Sequence, residues 1–212
     1  MGNFAEQLHI TRGVTAIIGS GGKTTLLYTL ARELSQKGSV LVATTTHIWK
    51  PEHLHVVSET GRVEGTVCVG TLLDNGKLAA PKQSFAELET LADYVLVEAD
   101  GSKGLPLKAH AAHEPVIPKN ARQVICVVGA SGLGRPVREA VHRPEIFTEL
   151  SESDLASPKA VARVLEREKL HTRVLINQAD TPERERLARE LADDLSCPVV
   201  LAALQKGESL CL

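Results

Sequence analysis

The chain has 212 residues, which is long enough for one domain with a buried core. Its 24 basic and 26 acidic residues give a formal net charge of −2, and only 3% of the residues are aromatic. These values argue against a nucleic-acid-binding protein, which needs a basic surface and, for single strands, aromatic stacking platforms. No apolar run in the sequence is long enough to cross a bilayer.

The four cysteines stand at positions 68, 126, 197 and 211 and form no Cys-x-x-Cys pair. This spacing predicts neither a zinc ribbon nor a disulfide framework. The first residues lack the apolar segment of a secretory signal. We therefore expect a cytoplasmic protein, with neither nucleic acid nor a membrane among its partners.

Apolar strand-like runs alternate with helical patterns along the chain. Strands are predicted at residues 14–18, 40–44, 56–58, 67–69, 94–97, 124–128, 174–176 and 199–202. Helices are predicted at residues 24–37, with Gly38 as the stop signal, and at residues 85–92, 158–170 and 182–195.

The predicted strands are apolar throughout, which is typical of strands buried on both faces of a parallel sheet. Their alternation with helices predicts an α/β fold, a doubly wound and mostly parallel sheet in a three-layer sandwich. We expect a single domain over residues 1–212, with room for a small β insertion around residues 50–85.

The strongest motif separates the first predicted strand from the first predicted helix, where residues 19–25 read Gly-Ser-Gly-Gly-Lys-Thr-Thr. This context is typical of a phosphate-binding loop, in which glycine amides and a helix N-terminus surround a phosphate. The full P-loop pattern has a glycine where this chain has Ile17, so the loop is shorter and resembles that of Mur-type ligases. The alternative is a plain turn. With this loop at the end of its first strand, the predicted sandwich is P-loop NTPase-like. The predicted nucleotide-binding residues are Gly19, Ser20, Gly21, Gly22, Lys23, Thr24 and Thr25.

Within this loop, Lys23 is expected to contact the terminal phosphates and the Thr24 hydroxyl to ligate Mg²⁺. Glu98 and Asp100 follow an apolar strand, like the Walker B element of P-loop proteins, and residues two apart share a face. Asp100 is predicted to complete the Mg²⁺ shell, and Glu98 to activate or orient the attacking group. The alternative is a charged strand end in solvent.

Residues 101–104, Gly-Ser-Lys-Gly, come next and suit a segment that senses the terminal phosphate, with Lys103 stabilising negative charge. A solvated turn fits these residues equally well. Residues 44–47, Thr-Thr-Thr-His, lie at the tip of the second strand and are expected to contact the γ-phosphate or a second substrate. The predicted catalytic residues are Lys23, Glu98, Asp100 and Lys103.

His110 and His113 are three residues apart, a spacing that could place two zinc ligands on one helical face. No third ligand is identifiable, however, and Pro115 ends any helix. A polar loop near the active site is the preferred interpretation.

Residues 177–180, Asn-Gln-Ala-Asp, resemble the guanine-reading Asn-Lys-x-Asp motif of GTPases, with Gln178 in place of the lysine. The resemblance implies that Asn177 and Asp180 contact the base. The alternative is that Asp180 belongs to the start of the next helix, because Thr181 and Pro182 form a good helix N-terminus.

Four segments together resemble the YqeC family: residues 18–25, 44–47, 97–108 and 141–145. The most specific of them is Glu-Ala-Asp-Gly-Ser-Lys-Gly at residues 98–104. The resemblance runs from the P-loop through Asp180. It implies a nucleotide-binding accessory protein in the maturation of a selenium-dependent molybdenum hydroxylase, with that enzyme or its molybdenum-cofactor machinery as the client.

Three functions fit these motifs. The leading hypothesis is an accessory NTPase that uses Mg²⁺ and either ATP or GTP. The second is a small-molecule kinase or Mur-like ligase, in which case hydrolysis needs the acceptor. The third is a nucleotide-gated module that delivers a cofactor or metal without useful turnover.

Overall fold

The computed structural model describes residues 3–211; for Leu210, within that range, it describes the backbone but not the side chain. The strands are β1 (Gly13–Gly19), β2 (Val40–Thr44), β3 (Ile48–Trp49), β4 (His55–Val57), β5 (Thr66–Val69), β6 (Thr71–Leu72), β7 (Lys77–Ala79), β8 (Tyr94–Glu98), β9 (Leu107–Lys108), β10 (Ala121–Gly129), β11 (Val141–His142), β12 (Arg173–Asn177), β13 (Val199–Ala203) and β14 (Glu208–Cys211). The helices are α1 (Phe4–Gln7), α2 (Lys23–Leu34), α3 (Phe85–Leu91), α4 (Val137–Ala140), α5 (Pro144–Ser151), α6 (Pro158–Glu168) and α7 (Pro182–Asp193), and two 3₁₀ turns lie at Ala130–Gly132 and Leu204–Lys206.

Over residues 3–211, nine strands form one sheet in the order β14-β13-β12-β10-β1-β8-β2-β5-β4. Every neighbouring pair in it is parallel except β13 and the edge strand β14. The predicted α/β class and mostly parallel sheet are confirmed. Among the same residues, no helix combines the length and the apolar character needed to cross a membrane.

Helices cover both faces of the sheet because successive strand residues point to opposite sides. On one face, Ile17 and Val127 pack with Leu26 and Leu30 of α2. On the other face, the neighbouring sheet residues pack against α4 to α7 at one end and against α3 at the other. The result is the predicted three-layer sandwich.

Residues 50–85 divide between two sheets. Strands β4 and β5 join the edge of the large sheet, whereas β6 and β7 form a separate three-stranded antiparallel sheet with β3. The strands within the segment of the predicted insertion thus belong partly to the large sheet and partly to the small one.

Helix α2 ends three residues before the predicted boundary. The chain turns at Ser35, and the amides of Lys37 and Gly38 both donate to the carbonyl of Leu34, at 2.8 and 3.1 Å. Gly38 therefore follows the turn rather than terminating the helix directly.

The sheet order brings the predicted motifs together at the carboxyl ends of the parallel strands. Strand β1 lies between β8 and β10, so the loop after Gly19 is flanked by the segments that follow Glu98 and Gly129. Beyond this edge, β9 and β11 pair in parallel, with Lys108 opposite His142. Ligands of open α/β sheets bind at this carboxyl edge.

Candidate functional site

The glycines of the loop between β1 and α2 allow it to pack closely against other backbone segments of the same chain. Gly21 has φ +88°, and a Cβ built on it would lie 2.5 Å from the Cα of Gly129 and 2.9 Å from the carbonyl oxygen of Pro106. No larger residue fits there without displacing backbone. The Ser20 hydroxyl donates to the carbonyl of Leu105, which fixes the loop from the same side.

Lys23 is the first residue of α2, yet it is only 4% exposed. Its amine donates to the Gly19 carbonyl at 2.7 Å, which folds the side chain back across its own loop. The amine lies 3.2 Å from Asp100 Oδ1 and 3.9 Å from Glu98 Oε1. The structure therefore brings these three charges together, with the lysine folded back onto its own loop.

Glu98 and Asp100 are both buried, but they have different partners. Glu98 Oε2 accepts a hydrogen bond of 3.0 Å from the Thr24 hydroxyl. Burial raises the pKa of Glu98, and the nearby Lys23 ammonium and the Thr24 hydrogen bond only partly oppose this effect. Thr24 thus meets Glu98, the last residue of β8, and not the Asp100 that we expected beside it.

Asp100 is the centre of a buried charge cluster. Its Oδ2 accepts from the Gly19 amide at 2.9 Å and from His110 Nε2 at 2.9 Å, and it lies 3.2 Å from Lys108 Nζ. Burial alone would raise its pKa, but His110, Lys23 and Lys108 outweigh burial and lower the pKa of Asp100 to about 2. Its Oδ1 is buried without a hydrogen bond, next to the Lys23 amine. This carboxylate holds the loop and the lysine in place.

His110 joins this cluster to helix α6. Its Nδ1 lies 2.7 Å from Glu168 Oε2, and its backbone amide donates to Glu168 Oε1 at 2.7 Å. Burial lowers the pKa of His110, but the hydrogen bonds to Asp100 and Glu168 prevail, so its pKa is raised. The imidazole bridges two carboxylates.

Lys108 begins a second branch of the charge cluster. Its amine lies 3.0 Å from Glu114 Oε2, and Glu114 Oε1 accepts from Arg143 Nε at 2.6 Å. Arg143 Nη2 lies 3.4 Å from His113 Nε2, so His113 contacts the guanidinium rather than His110's partners. Within residues 3–211, no three His, Cys, Asp or Glu side chains are arranged to hold a metal ion.

The loop at residues 101–104 borders an open pocket of about 750 Å³. Lys103 is exposed, has φ +51° and lines this pocket, as do Thr24, Glu98 and His142. Lys103 is therefore brought to the rim of the site and is not part of the buried cluster.

Residues 44–47, at the end of β2, have different contacts. The Thr44 hydroxyl donates to the Glu98 carbonyl at 2.9 Å and accepts from the Thr46 amide at 3.0 Å, so it ties β2 to β8. The Thr45 hydroxyl oxygen is buried without a partner. Thr46 and His47 line the open pocket.

Asn177, at the end of β12, links two loops. Its amide nitrogen donates to the Gly21 carbonyl at 2.8 Å, and its amide oxygen accepts from the Leu204 amide at 3.1 Å. A side-chain amide can make two bonds at each end, so one donor and one acceptor position remain for a ligand.

Asp180 lies further out and pairs with Arg184 at 2.7 Å; this hydrogen bond lowers the pKa of Asp180. The helix N-cap is Thr181, whose side chain accepts from the Arg184 amide. Asn177 and Asp180 nevertheless line one cleft with Gly22 and Thr25, about 360 Å³ in volume. The side chain of Asp180 therefore does not cap the helix, and it lines this cleft.

Sequence reasoning did not foresee a buried charge cluster that includes Lys108, Glu114, Arg143 and Glu168. Lys108 and Arg143 lie inside the segments that carry the family resemblance, which was the available signal. Glu168 ends an amphipathic helix and gave no signal, because a charged helix terminus usually faces solvent.

Residues 15–145 match the sequence profile of a family described as "YqeC protein". The matched range covers more than half of the 212 residues and includes Lys23, Glu98, Asp100, Lys108 and Arg143. The chain belongs to the YqeC family.

This member of the YqeC family is also similar to "Uncharacterized protein YqeC" of Escherichia coli (strain K12), at 38% identity over 154 residues. That match covers 65% of this chain and 60% of the relative, so the chain spans about 60% of the length of the curated relative. No solved structure matches the chain.

Proposed function

We propose that this YqeC family member binds a Mg²⁺–nucleoside triphosphate, ATP or GTP, and hydrolyses it as an accessory factor. The observation that supports this most strongly is the buried Lys23 amine, held above a glycine loop by Asp100 and the Gly19 carbonyl. Burying a lysine is costly unless its charge is compensated, and a phosphate would extend that compensation. The client we propose is a selenium-dependent molybdenum hydroxylase or its cofactor machinery, in the cytoplasm.

The residues at the loop fit a magnesium ion, with one revision to the expected ligands. Thr24 and Glu98 bring a hydroxyl and a carboxylate within 3.0 Å of each other, and Mg²⁺ prefers such hard oxygen donors. Asp100 Oδ2 already serves three donors. We therefore propose Thr24 and Glu98 as the metal-binding pair and Asp100 as the residue that positions Lys23. The bound ion would neutralise phosphate charge, and Mg²⁺ sites of this kind take few protein ligands.

The protein's own groups then have separate tasks. The loop amides and the N-terminus of α2 surround the phosphates, and Lys23 neutralises charge on the terminal oxygens. Asp100 orients Lys23, and the cations around Asp100 keep that carboxylate ionised. Lys103, on the exposed loop, stabilises the negative charge that develops on the outer phosphate.

The second candidate function is a kinase or ligase with a small acceptor. The open pocket favours it, because the pocket begins at Thr24 and Glu98 and continues away from the loop. Hydrolysis that depends on an added acceptor would distinguish this activity from that of a simple NTPase.

The metal-binding pair can be tested with Glu98→Gln. We expect this change to weaken nucleotide binding about tenfold in the presence of Mg²⁺ and to leave binding in EDTA unchanged, because glutamine keeps the size but loses the charge. Calorimetric titration of nucleotide under both conditions measures the difference. Glu114→Gln is the matched control, since Glu114 borders the same pocket but faces Lys108 and Arg143. An equal loss in EDTA would assign Glu98 to the fold instead of the metal.

The base is tested at Asp180. If its carboxylate accepts from guanine, GTP should bind about tenfold better than ATP, and Asp180→Asn should shift the preference toward XTP, because an amide donates where xanthine presents a carbonyl. Competition of the three nucleotides against a fluorescent analogue measures both effects. Arg184→Gln breaks the same ion pair but keeps the carboxylate, so it should keep the GTP preference. Equal binding of ATP and GTP to the unmodified protein would remove the guanine assignment only.

A further inference from the structure

The open pocket beside Thr24 and Glu98 is lined mostly by residues that do not belong to the glycine loop. It is enclosed on one side by the loop at residues 101–104 and on the other by β3 and the residues that follow it. The phosphate loop supplies only its inner edge. The nucleotide site therefore does not account for most of its lining.

The outer lining carries excess positive charge. Lys50, Lys77 and Lys103 all border the pocket, and within residues 3–211 none of them lies within ion-pairing distance of a carboxylate. The carboxylates of the lining are Glu52, Glu98 and Glu114. Glu98 faces the Lys23 amine, and Glu114 is compensated by Lys108 and Arg143. Three lysines thus face one uncompensated carboxylate, an arrangement that attracts anions.

The same pocket exposes an aromatic ring. Trp49 is 71% exposed and lines the pocket from β3. It stands opposite Lys77 in the small sheet, and the Lys77 amine lies 5.0 Å from the centre of the Trp49 ring. An indole left this open beside a polar cleft offers stacking area to a flat ligand, with a cation already placed next to it.

We propose that this pocket binds a small anionic molecule with a flat ring system, whose ring stacks on Trp49 and whose anionic group lies between Lys103 and Lys50. The ligand would be the second substrate of the site. That role rests on the proposed nucleotide-dependent activity, whereas the binding itself does not.

The test uses the fact that the chain contains one tryptophan. Its indole N–H gives one cross-peak in a ¹⁵N-correlated NMR spectrum, which reports ligand contact directly. Three probes separate the contributions: 1-naphthyl phosphate has ring and charge, 1-naphthol has the ring alone, and inorganic phosphate has the charge alone. Saturating Mg²⁺ and a non-hydrolysable nucleotide keep the phosphate loop occupied.

We expect 1-naphthyl phosphate to shift the Trp49 signal and to bind at least tenfold more tightly than either partial probe. Calorimetry should show at least a tenfold loss of affinity in Trp49→Ala and in Lys103→Gln, and near-normal affinity in Trp49→Phe. Two matched controls should bind normally: Leu72→Ala, which removes another exposed apolar side chain of the same small sheet, and Lys82→Gln, which removes a lysine outside the pocket.

Equal affinity for 1-naphthol, or normal affinity in Trp49→Ala and Lys103→Gln, would overturn the proposal, as would the absence of any shift with all three probes. Failure of the two proposals can be told apart. A Trp49-dependent response to 1-naphthyl phosphate in a protein that binds no nucleotide would remove the proposed function and keep this pocket. Nucleotide binding without a Trp49-dependent response to 1-naphthyl phosphate would remove this pocket's proposed ligand and keep the proposed function.

Discussion

Lys23→Ala is expected to reduce nucleoside triphosphate affinity at least 100-fold while leaving the protein folded. A charge-assisted hydrogen bond contributes about 1.5–3 kcal/mol, and this ammonium faces more than one phosphate oxygen in the proposed complex. The fold should survive, because Asp100 retains Lys108 and His110 when the Lys23 amine is removed.

Calorimetric titration with Mg²⁺ and nucleotide measures the change, and the thermal unfolding midpoint without nucleotide monitors the fold. Lys37→Ala is the matched control, because Lys37 follows the same helix but its amine pairs with Glu6 on the surface. If Lys23→Ala binds nucleotide as tightly as the unmodified protein does, the glycine loop is not a phosphate site.

Of the variants proposed here, Asp100→Asn is expected to cause the largest loss of stability, about 3–5 kcal/mol in the free energy of unfolding. Removing one member of a buried ion cluster leaves the others uncompensated in a medium of low polarity. Here three cationic partners, Lys23, Lys108 and His110, would share an uncharged amide. Urea unfolding followed by far-ultraviolet circular dichroism measures the loss.

Asp93→Asn provides the comparison, since Asp93 lies nearer the surface and pairs with Ser39 and the exposed Arg12. Its effect should be much smaller. Similar losses in the two variants would mean that burial and charge at Asp100 contribute nothing special to stability.

The same variant predicts a change in the pH dependence of stability. The pKa of Asp100 is lowered to about 2, so its contribution is complete above the unfolded value of about 3.9 and disappears as pH falls toward 2. The raised pKa of His110 acts on the other side, because its contribution is complete below about 6.5 and is lost as pH rises through the folded value. Without nucleotide or Mg²⁺, the difference in stability between the protein and Asp100→Asn should therefore narrow below pH 4.

Much of the architecture could be predicted from sequence because its signals are local. Apolar runs such as residues 94–97 identify buried parallel strands wherever they occur. A glycine loop between such a run and a helix identifies the carboxyl edge at which the motifs meet. Residues 19–25 and Glu98 could be placed at the same edge for this reason, without knowledge of any contact.

The sequence could not show which partner each charged side chain selects. Alternation along a strand places Glu98 and Asp100 on one side, but the regular strand β8 ends at Glu98, before Asp100. Thr24 therefore hydrogen-bonds to Glu98, while Asp100 contacts the cationic side chains of Lys108 and His110. Such pairings depend on loop paths that carry no periodic pattern.

Contacts between distant segments were equally hidden. His110 and Glu168 are 58 residues apart, and Asn177 reaches back 156 residues to the Gly21 carbonyl. Helix α5 and the pairing of β9 with β11 were missed for a related reason, because these elements are short and owe their conformation to their neighbours.

The position of β1 within the sheet also has a consequence for the order of folding. Both of its neighbours, β8 and β10, come from much later in the chain, and the carboxylate that binds the Gly19 amide lies 81 residues downstream. The entropy of closing such long loops must be overcome before β1 gains any partner. During synthesis from the N-terminus, β1 therefore lacks its first native partner until residues 94–98 of β8 have been made, and its other side stays unpaired until β10 follows. The glycine loop is therefore translated early, but it gains its contacts with Asp100 and Asn177 only after those later segments have been made.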